Sequence, residues 1–399
     1  MQAKFRTMSE NQENIQDVNQ YMGADTIDII VPDIPLPPEE PEKKEEVEDT
    51  VDGAFKFAFI GAGQGGSRIA ETFHKLGYRK IGIINTAQQD LNGINVENKL
   101  CIGSGGAGKD RSVAKKCFSE RRDDVLDFMR RSFGDDVDRV FVCAGAGGGS
   151  GAGTLVPLVE TCQELHEAIG ADSKKVGVIL ALPKYSEGRK VNANAHDTLK
   201  EACDLVKKGV VSPLIIIDNE KTSKIYSNVS VSNFWQTANM SMAGVFHLFN
   251  MTASKDSSYS SFDSSDYKSV LDSGIVVFGA TPVPDWKDSI SISRAVRGIA
   301  QTGSMSGGID ITTANTAGAI LIGGKEVLDN VPQSNLDQAF DQLTRILSSG
   351  SVVHRGIYSG DKENLTVFTI IGGIASPQEK LDELMKLGDL EKAPLDKSS

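Results

Sequence analysis

The chain has 399 residues, a net charge of −12 and five cysteines; at roughly 100–200 residues per domain, two or three domains are expected. No run approaches the roughly 18 apolar residues of a membrane helix, and the opening MQAKFRTMSENQEN lacks the apolar stretch of a secretory signal, so a cytoplasmic location without membrane insertion is expected. The cysteines are odd in number and show no paired short spacing, which fits reduced thiols and argues against a cysteine zinc module; no metal-ligating cluster is read from the protein residues.

All of the excess negative charge lies in residues 1–52 and 377–399, leaving residues 53–376 neutral. A neutral body offers nucleic acid no general attraction, so any contact with it is expected to be indirect. Residues 1–54 read as a disordered, acidic, proline-rich extension: Pro32, Pro35, Pro37, Pro38 and Pro41 prevent helix, and EEPEKKEEVED is a solvated charge block. Within it Thr26–Leu36 is more apolar, and reads either as a linker or as a short motif that docks on a partner, such as an adaptor or cargo protein, or on a neighbouring subunit.

The folded body starts near Phe55. FKFAFIGAGQGGSRIAETF reads as strand, glycine loop and helix, and RKIGIINT as a second strand; KLCIG, RVFVCAG, KVGVILAL and SPLIIID are further apolar runs with helical patterns between them. This alternation over residues 55–232 predicts an α/β domain with a parallel sheet covered on both faces. Residues 233–269 hold one long apolar helix, Trp235–Met251, and the serine-rich loop SKDSSYSSFDSSD. Residues 270–376 read as a smaller α/β domain, and 377–399 as a flexible tail with an amphipathic patch, EKLDELMKL.

Three glycine loops bear on the ligand. The first, Gly61-Ala62-Gly63-Gln64-Gly65-Gly66, fits the dinucleotide fingerprint, but the second strand ends in Asn85 and Thr86 where that fingerprint wants an acid for the ribose. A nicotinamide-dependent oxidoreductase remains a second reading on this loop alone. The second, Gly103 to Asp110, satisfies G-x-x-x-x-G-K, but Asp110 stands where a P-loop needs a hydroxyl for Mg²⁺. The third, AGAGGGSGAGT from Ala144 to Thr154, follows a strand and opens a helix. So many glycines free backbone N–H groups to wrap a polyphosphate at a helix N-terminus, and a mere turn would need one or two. Three such loops on successive strand ends fit a nucleoside triphosphate with Mg²⁺ better than a dinucleotide.

The third loop resembles the glycine signature of the tubulin/FtsZ superfamily, GGGTGTG or GGGTGSG, and the resemblance covers about residues 55–376. It implies a parallel, Rossmann-like GTP-binding sheet, a long central helix and a smaller α/β C-terminal domain. It further implies that Gly61, Gly63, Gln64, Gly65, Gly66 and Ser67 form the first phosphate loop, and that Asn85 and Thr86 form the second. Gly106, Ala107 and Gly108 correspond to the loop that senses the γ-phosphate, and Ala146, Gly147, Gly148, Gly149, Ser150 and Gly151 to the signature itself. PKYSEG (183–188) is similar to the ribose loop, with Glu187 as ribose ligand. Asn219 corresponds to a residue that reads the guanine edge, Trp235 to the aromatic stacked on guanine, and Asn239 to an Asn that hydrogen-bonds it. Division-type members often carry Arg four residues after the ribose Glu; here Val191 stands there, and Arg189 lies two residues after it.

Ser261-Phe262-Asp263-Ser264-Ser265-Asp266 resembles the family's catalytic loop N-x-D-x-x-D, with Ser261 in place of the Asn. The resemblance implies that Asp263 and Asp266 complete the GTP site of the next subunit in a head-to-tail homopolymer. The expected protein is a cytoskeletal GTPase using GTP/GDP and Mg²⁺, serving division, DNA segregation or phage or plasmid positioning. A GTP-binding scaffold that does not hydrolyse is the alternative left by Ser261. Asp33-Ile34-Pro35-Leu36 is faintly similar to the tail peptide by which division proteins bind membrane adaptors, which suggests a recruitment motif moved to the N-terminus.

Overall fold

The computed structural model describes residues 51–230, 232–299, 309–361 and 364–389. The segment Thr26–Leu36 with its recruitment motif, and residues 390–399, lie outside the described residues. Strand and helix alternate from the start: β1 (Phe57–Ala62), α1 (Gly63–Lys75), β2 (Ile81–Asn85), α2 (Gln88–Asn92), β3 (Lys99–Cys101), α3 (Arg111–Glu120), α4 (Arg122–Phe133) and β4 (Arg139–Gly145). The pattern continues through α5 (Ser150–Ile169), β5 (Val176–Leu182), α6 (Arg189–Lys207), β6 (Val211–Asp218) and α7 (Asn219–Ile225). The long helix α8 (Phe234–Thr252) and the short α9 (Ser264–Leu271) flank the serine-rich loop. The remainder is β7 (Ile275–Val283), α10 (Ser289–Gly298), β8 (Thr316–Gly324), α11 (Lys325–Asn330), α12 (Gln333–Ile346), β9 (Val352–Gly360), β10 (Leu365–Ile374) and α13 (Gln378–Leu387).

The ten described strands form one sheet in the order β3-β2-β1-β4-β5-β6-β7-β10-β8-β9. All pairings are parallel except those of β10, which runs against β7 and β8. Every residue of β1 and of β6 is buried, as strands covered on both faces require. The strands of residues 270–376 do not build a sheet of their own. They extend the first one, through a narrow parallel pairing of Leu214 with Ile275 and Ile215 with Val276. Beneath this junction the buried Arg139 pairs with Asp272 at 2.6 Å and donates to the Ser212 carbonyl at 3.1 Å.

The sheet separates two cores. On one face α1 and α8 enclose an aromatic cluster that includes Phe59, Phe73, Phe141, Phe246 and Phe249. On the other, α5, α6, α10 and α12 contribute Leu155, Leu199, Ile292 and Phe340. The sequence of α8 has no acidic or basic residue other than His247, and it is buried along most of its length. At about 1.5 Å per residue its 19 residues span about 28 Å. Its first residue, Phe234, lies under Lys184, just beyond the carboxyl end of β5. Near its far end the Asn250 carbonyl accepts from Ala54 N at 2.9 Å, just ahead of the amino end of β1. The helix therefore runs from one edge of the sheet to the other.

The amphipathic patch of the expected flexible tail forms α13, which packs along α6 with Leu381 and Leu384 buried. Its apolar stripe is what binds it: a helix with one buried face is not free to be a tail. Among the described residues no helix is long and apolar enough to cross a membrane. All five cysteines are unpaired thiols.

Candidate nucleotide site

The strand order reverses between β1 and β4, because β2 and β3 add to one side of β1 and later strands to the other. Open parallel sheets bind ligands outside the carboxyl ends of the strands at such a switch point. The loops after β1 and β4 meet there. Gly63 has a φ of +66°, and a Cβ on it would sit 2.7 Å from Gly151 N. A Cβ on Gly66 would lie 2.0 Å from the Cys143 carbonyl oxygen, so only glycine lets α1 rest on β4. Ser67 does not face the crevice; its hydroxyl donates to the Gly63 carbonyl at 2.7 Å and is buried.

The other loops join the same surface. Thr86 and Ser150 hydroxyls lie 2.6 Å apart, and Gly106 N donates to the Thr86 carbonyl at 3.0 Å. A Cβ on Gly149 would be 2.7 Å from that of Ala107. Asn194 of α6 ties two loops, its side-chain amide donating to the carbonyls of Lys109 (3.0 Å) and Gly147 (3.1 Å). Thr198 adds a bond to the Ala146 carbonyl at 3.1 Å. Gln64, Gly65, Gly108 and Gly148 remain exposed on this surface.

Two helices begin at this crevice without a side-chain cap. Ala62 precedes α1 and Gly149 precedes α5, and neither first turn holds an acid. Their first N–H groups therefore face outward unpaired by a cap, with the positive end of each helix dipole behind them. An anion fits there. Asp110, the misfit of the P-loop pattern, caps α3 instead: its carboxylate accepts from Ser112 N at 2.9 Å, and the Ser112 hydroxyl and amide hold its pKa below the usual value.

The second part of the crevice lies beyond β5 and β6. Glu187 is exposed, and its carboxylate accepts from Lys184 N at 2.8 Å within a short 3₁₀ turn. Asn219 opens α7, whose N-cap Asp218 accepts from Glu220 N (3.0 Å) and Lys221 N (3.3 Å). Tyr185 N donates to the Glu220 carboxylate at 3.2 Å, joining the 183–188 loop to α7. Lys184 lies 4.5 Å from the Phe234 ring and 5.9 Å from that of Trp235, joining the loop to α8 as well. Trp235 is half-buried, and Asn239, one turn on, is buried. Val191 is buried beneath Gly147, where a Cβ would meet its Cγ1 at 2.4 Å. Arg189 turns away to pair with Asp389 at 2.9 Å.

Asp263 and Asp266 lie elsewhere, past the far end of α8. They form a capping box on α9: Asp263 accepts from Asp266 N at 2.9 Å, and Asp266 accepts from Asp263 N at 3.3 Å. The D-x-x-D spacing is itself that motif. The second oxygen of Asp266 lies 2.6 Å from Nδ1 of His354 on β9. The buried Phe262 anchors the loop, its N–H donating to the Tyr358 hydroxyl at 2.8 Å. Ser261 accepts from Ser257 N at 3.1 Å. Sequence reasoning missed the contacts of His354 with Asp266 and of Asn194 with the Lys109 and Gly147 carbonyls, each made from an element remote in the chain.

An open sheet with a glycine-lined crevice and two uncapped helix N-termini at its switch point defines a nucleotide-binding α/β protein. Residues 56–227 match the family model described as Tubulin/FtsZ family, GTPase domain, and this segment belongs to that family. The chain is similar to the tubulin-like protein TubZ of Bacillus cereus, 27% identical over 248 residues; the match covers 57% of this chain and 54%, about half, of that relative's length. It is 29% identical over 333 residues to the tubulin-like protein CetZ of Thermococcus kodakarensis, covering 79% of this chain and 81% of that one. A GTPγS-form protofilament of Bacillus thuringiensis serovar israelensis TubZ shares its fold with a TM-score of 0.71 at 19% identity, over 85% of this chain and 92% of that one. The fold is that of tubulin and FtsZ.

Proposed function

We propose that this chain binds GTP with Mg²⁺, assembles head to tail into filaments and hydrolyses GTP at the junction between subunits. The observation that carries this is the separation of the two half-sites. The glycine loops lie at the carboxyl edge of the sheet, and Asp263 and Asp266 lie beyond α8 at the opposite edge, about 28 Å of helix away. One chain cannot bring its own acids to its own crevice, whereas a second copy stacked in the same orientation can. Such a contact is heterologous and does not close, so it propagates.

In this reading the amides of Gly63–Gly66 and Gly147–Gly151 and the uncapped starts of α1 and α5 hold the phosphates. Glu187 meets the ribose, and Asn219, Trp235 and Asn239 meet the base. Mg²⁺ would bind chiefly through phosphate oxygens and water. Asp263 and Asp266 orient a water toward the neighbour's γ-phosphate, and in-line transfer then depends on positioning and charge stabilisation. The nicotinamide reading has less support: Asn85, at the position of the ribose acid, donates its side-chain amide to Asp90 at 3.2 Å.

The double variant Asp263→Asn/Asp266→Asn tests the roles. Asn caps helices about as well as Asp, so fold, GTP binding and sedimentable assembly should persist. Turnover should fall roughly 100-fold or more. Turnover within a few-fold of the unsubstituted protein would remove the acids from the mechanism. Absence of turnover in the unsubstituted protein despite GTP binding would make it the scaffold.

A further inference from the structure

Lys380 is a buried lysine on α13, its side chain only 4% exposed. Its ammonium reaches three partners: Asp218 at 2.8 Å, the Tyr185 hydroxyl at 2.7 Å and Glu383 at 2.6 Å. Asp218 is as deeply buried, at 3%. One oxygen of its carboxylate faces Lys380, and the other caps α7 by accepting from Glu220 N and Lys221 N. The residue after Asp218 is Asn219. Tyr185 belongs to the 183–188 loop that carries Glu187, so a single ammonium connects both base-side and ribose-side elements to the C-terminal helix.

The seat of α13 is built for this contact. Gly388 lets its end approach the backbone of α6, since a Cβ there would lie 2.9 Å from Ala193 Cα. A cavity of about 450 Å³ opens between α7 and α13, with Asp218, Glu220, Lys221, Lys224 and Lys380 in its wall. Lys221 also faces Asp218, and burial lowers its pKa; Lys380 is the cation that reaches the Asp218 carboxylate at 2.8 Å. A buried carboxylate without a paired cation is strongly unfavourable. Removing Lys380 would therefore drive Asp218 toward water and drag the start of α7 with it.

We infer that Lys380 is a positioning residue of the nucleotide site, setting Asn219 through Asp218 and the 183–188 loop through Tyr185, so that base selection depends on the C-terminal helix. The inference rests on the guanine-site reading above. Coupling of this kind is reciprocal, so base binding must also steady α13.

The test uses the full chain with GTP and with ITP, which lacks only the 2-amino group of guanine. The unsubstituted protein should bind GTP more tightly than ITP; if it binds neither, the site reading itself fails. In Lys380→Met the GTP/ITP affinity ratio should fall roughly tenfold, the worth of one hydrogen bond at the base. A purely structural role would weaken both nucleotides alike and leave the ratio unchanged, which would overturn the inference. A second measurement needs no variant: amide hydrogen exchange of residues 378–387 should slow when GTP is added and stay unchanged with ATP. Exchange indifferent to bound GTP would overturn the inference as well.

Discussion

Gly148→Ala separates the ligand from the fold. A Cβ at Gly148 would meet nothing within 4 Å, and its φ lies outside the left-handed region. The stability of the nucleotide-free protein should therefore change by no more than about 0.5 kcal/mol. Gly66→Ala is the contrasting case. There the new Cβ would sit 2.0 Å from the Cys143 carbonyl oxygen, so α1 must lift off β4; overpacking of this kind costs about 1–3 kcal/mol. In Gly148→Ala the added methyl group instead stands where a phosphate must approach the loop amides. Losing one hydrogen bond to a charged acceptor, worth about 1.5–3 kcal/mol, weakens binding roughly 10- to 150-fold. Titration with a fluorescent GTP analogue, beside thermal unfolding with and without GTP, reads both effects. At 100 times Kd, GTP should stabilise the unsubstituted protein by about 2.7 kcal/mol, and Gly148→Ala should retain only about 0.3–1.4 kcal/mol of that at the same concentration. Equal affinity in the two proteins would show that the glycine loop does not hold the phosphates.

His166→Gln should flatten the acid limb of the stability curve. The buried ring accepts from Val140 N at Nε2 (3.0 Å), and burial, aided by the Arg139 charge, lowers its pKa to about 4 from 6.5. Below pH 6.5 the unfolded chain takes up a proton that the folded chain refuses until about pH 4. Stability is thus complete above pH 6.5 and falls by about 1.4 kcal/mol per unit below it, approaching about 3 kcal/mol in all. His247, also lowered to about 4 by burial, contributes a second such slope. Urea midpoints between pH 7 and pH 5 should shift less in the variant, and equal shifts would contradict the assignment. His354→Ala should release Asp266 and lower turnover per assembled subunit several-fold with the critical concentration for assembly unchanged; unaltered turnover would make the 2.6 Å contact incidental.

Local pattern carried the strand–loop–helix units far. FAFIGA, RVFVCAG and VSPLIIID are too apolar to be anything but doubly covered strands, and the glycine loops announce where backbone must approach backbone or phosphate. The uncharged run of α8 was equally legible as a buried helix. What periodicity does not encode is which distant strand a strand joins. The fusion of the C-terminal strands into the first sheet rests on two residue pairs between β6 and β7. The amphipathic stripe of EKLDELMKL was visible, but its seat on α6 was not, because the groove is made by residues nearly 200 positions earlier. The acid loop had two meanings in one spacing, since D-x-x-D is both the family motif and a capping box, and the structure shows the second directly. His354 and Lys380 left no local signal: each matters only through a carboxylate that the fold brings to it.

The central claim is that the site is complete only between two subunits. The direct measurement is GTP turnover per subunit as a function of protein concentration, with Mg²⁺ present and ATP as the control. The rate should be near zero below a threshold concentration and rise above it in step with sedimentable polymer. A rate per subunit that is flat from dilute to concentrated protein would place a complete site within one chain and contradict the account.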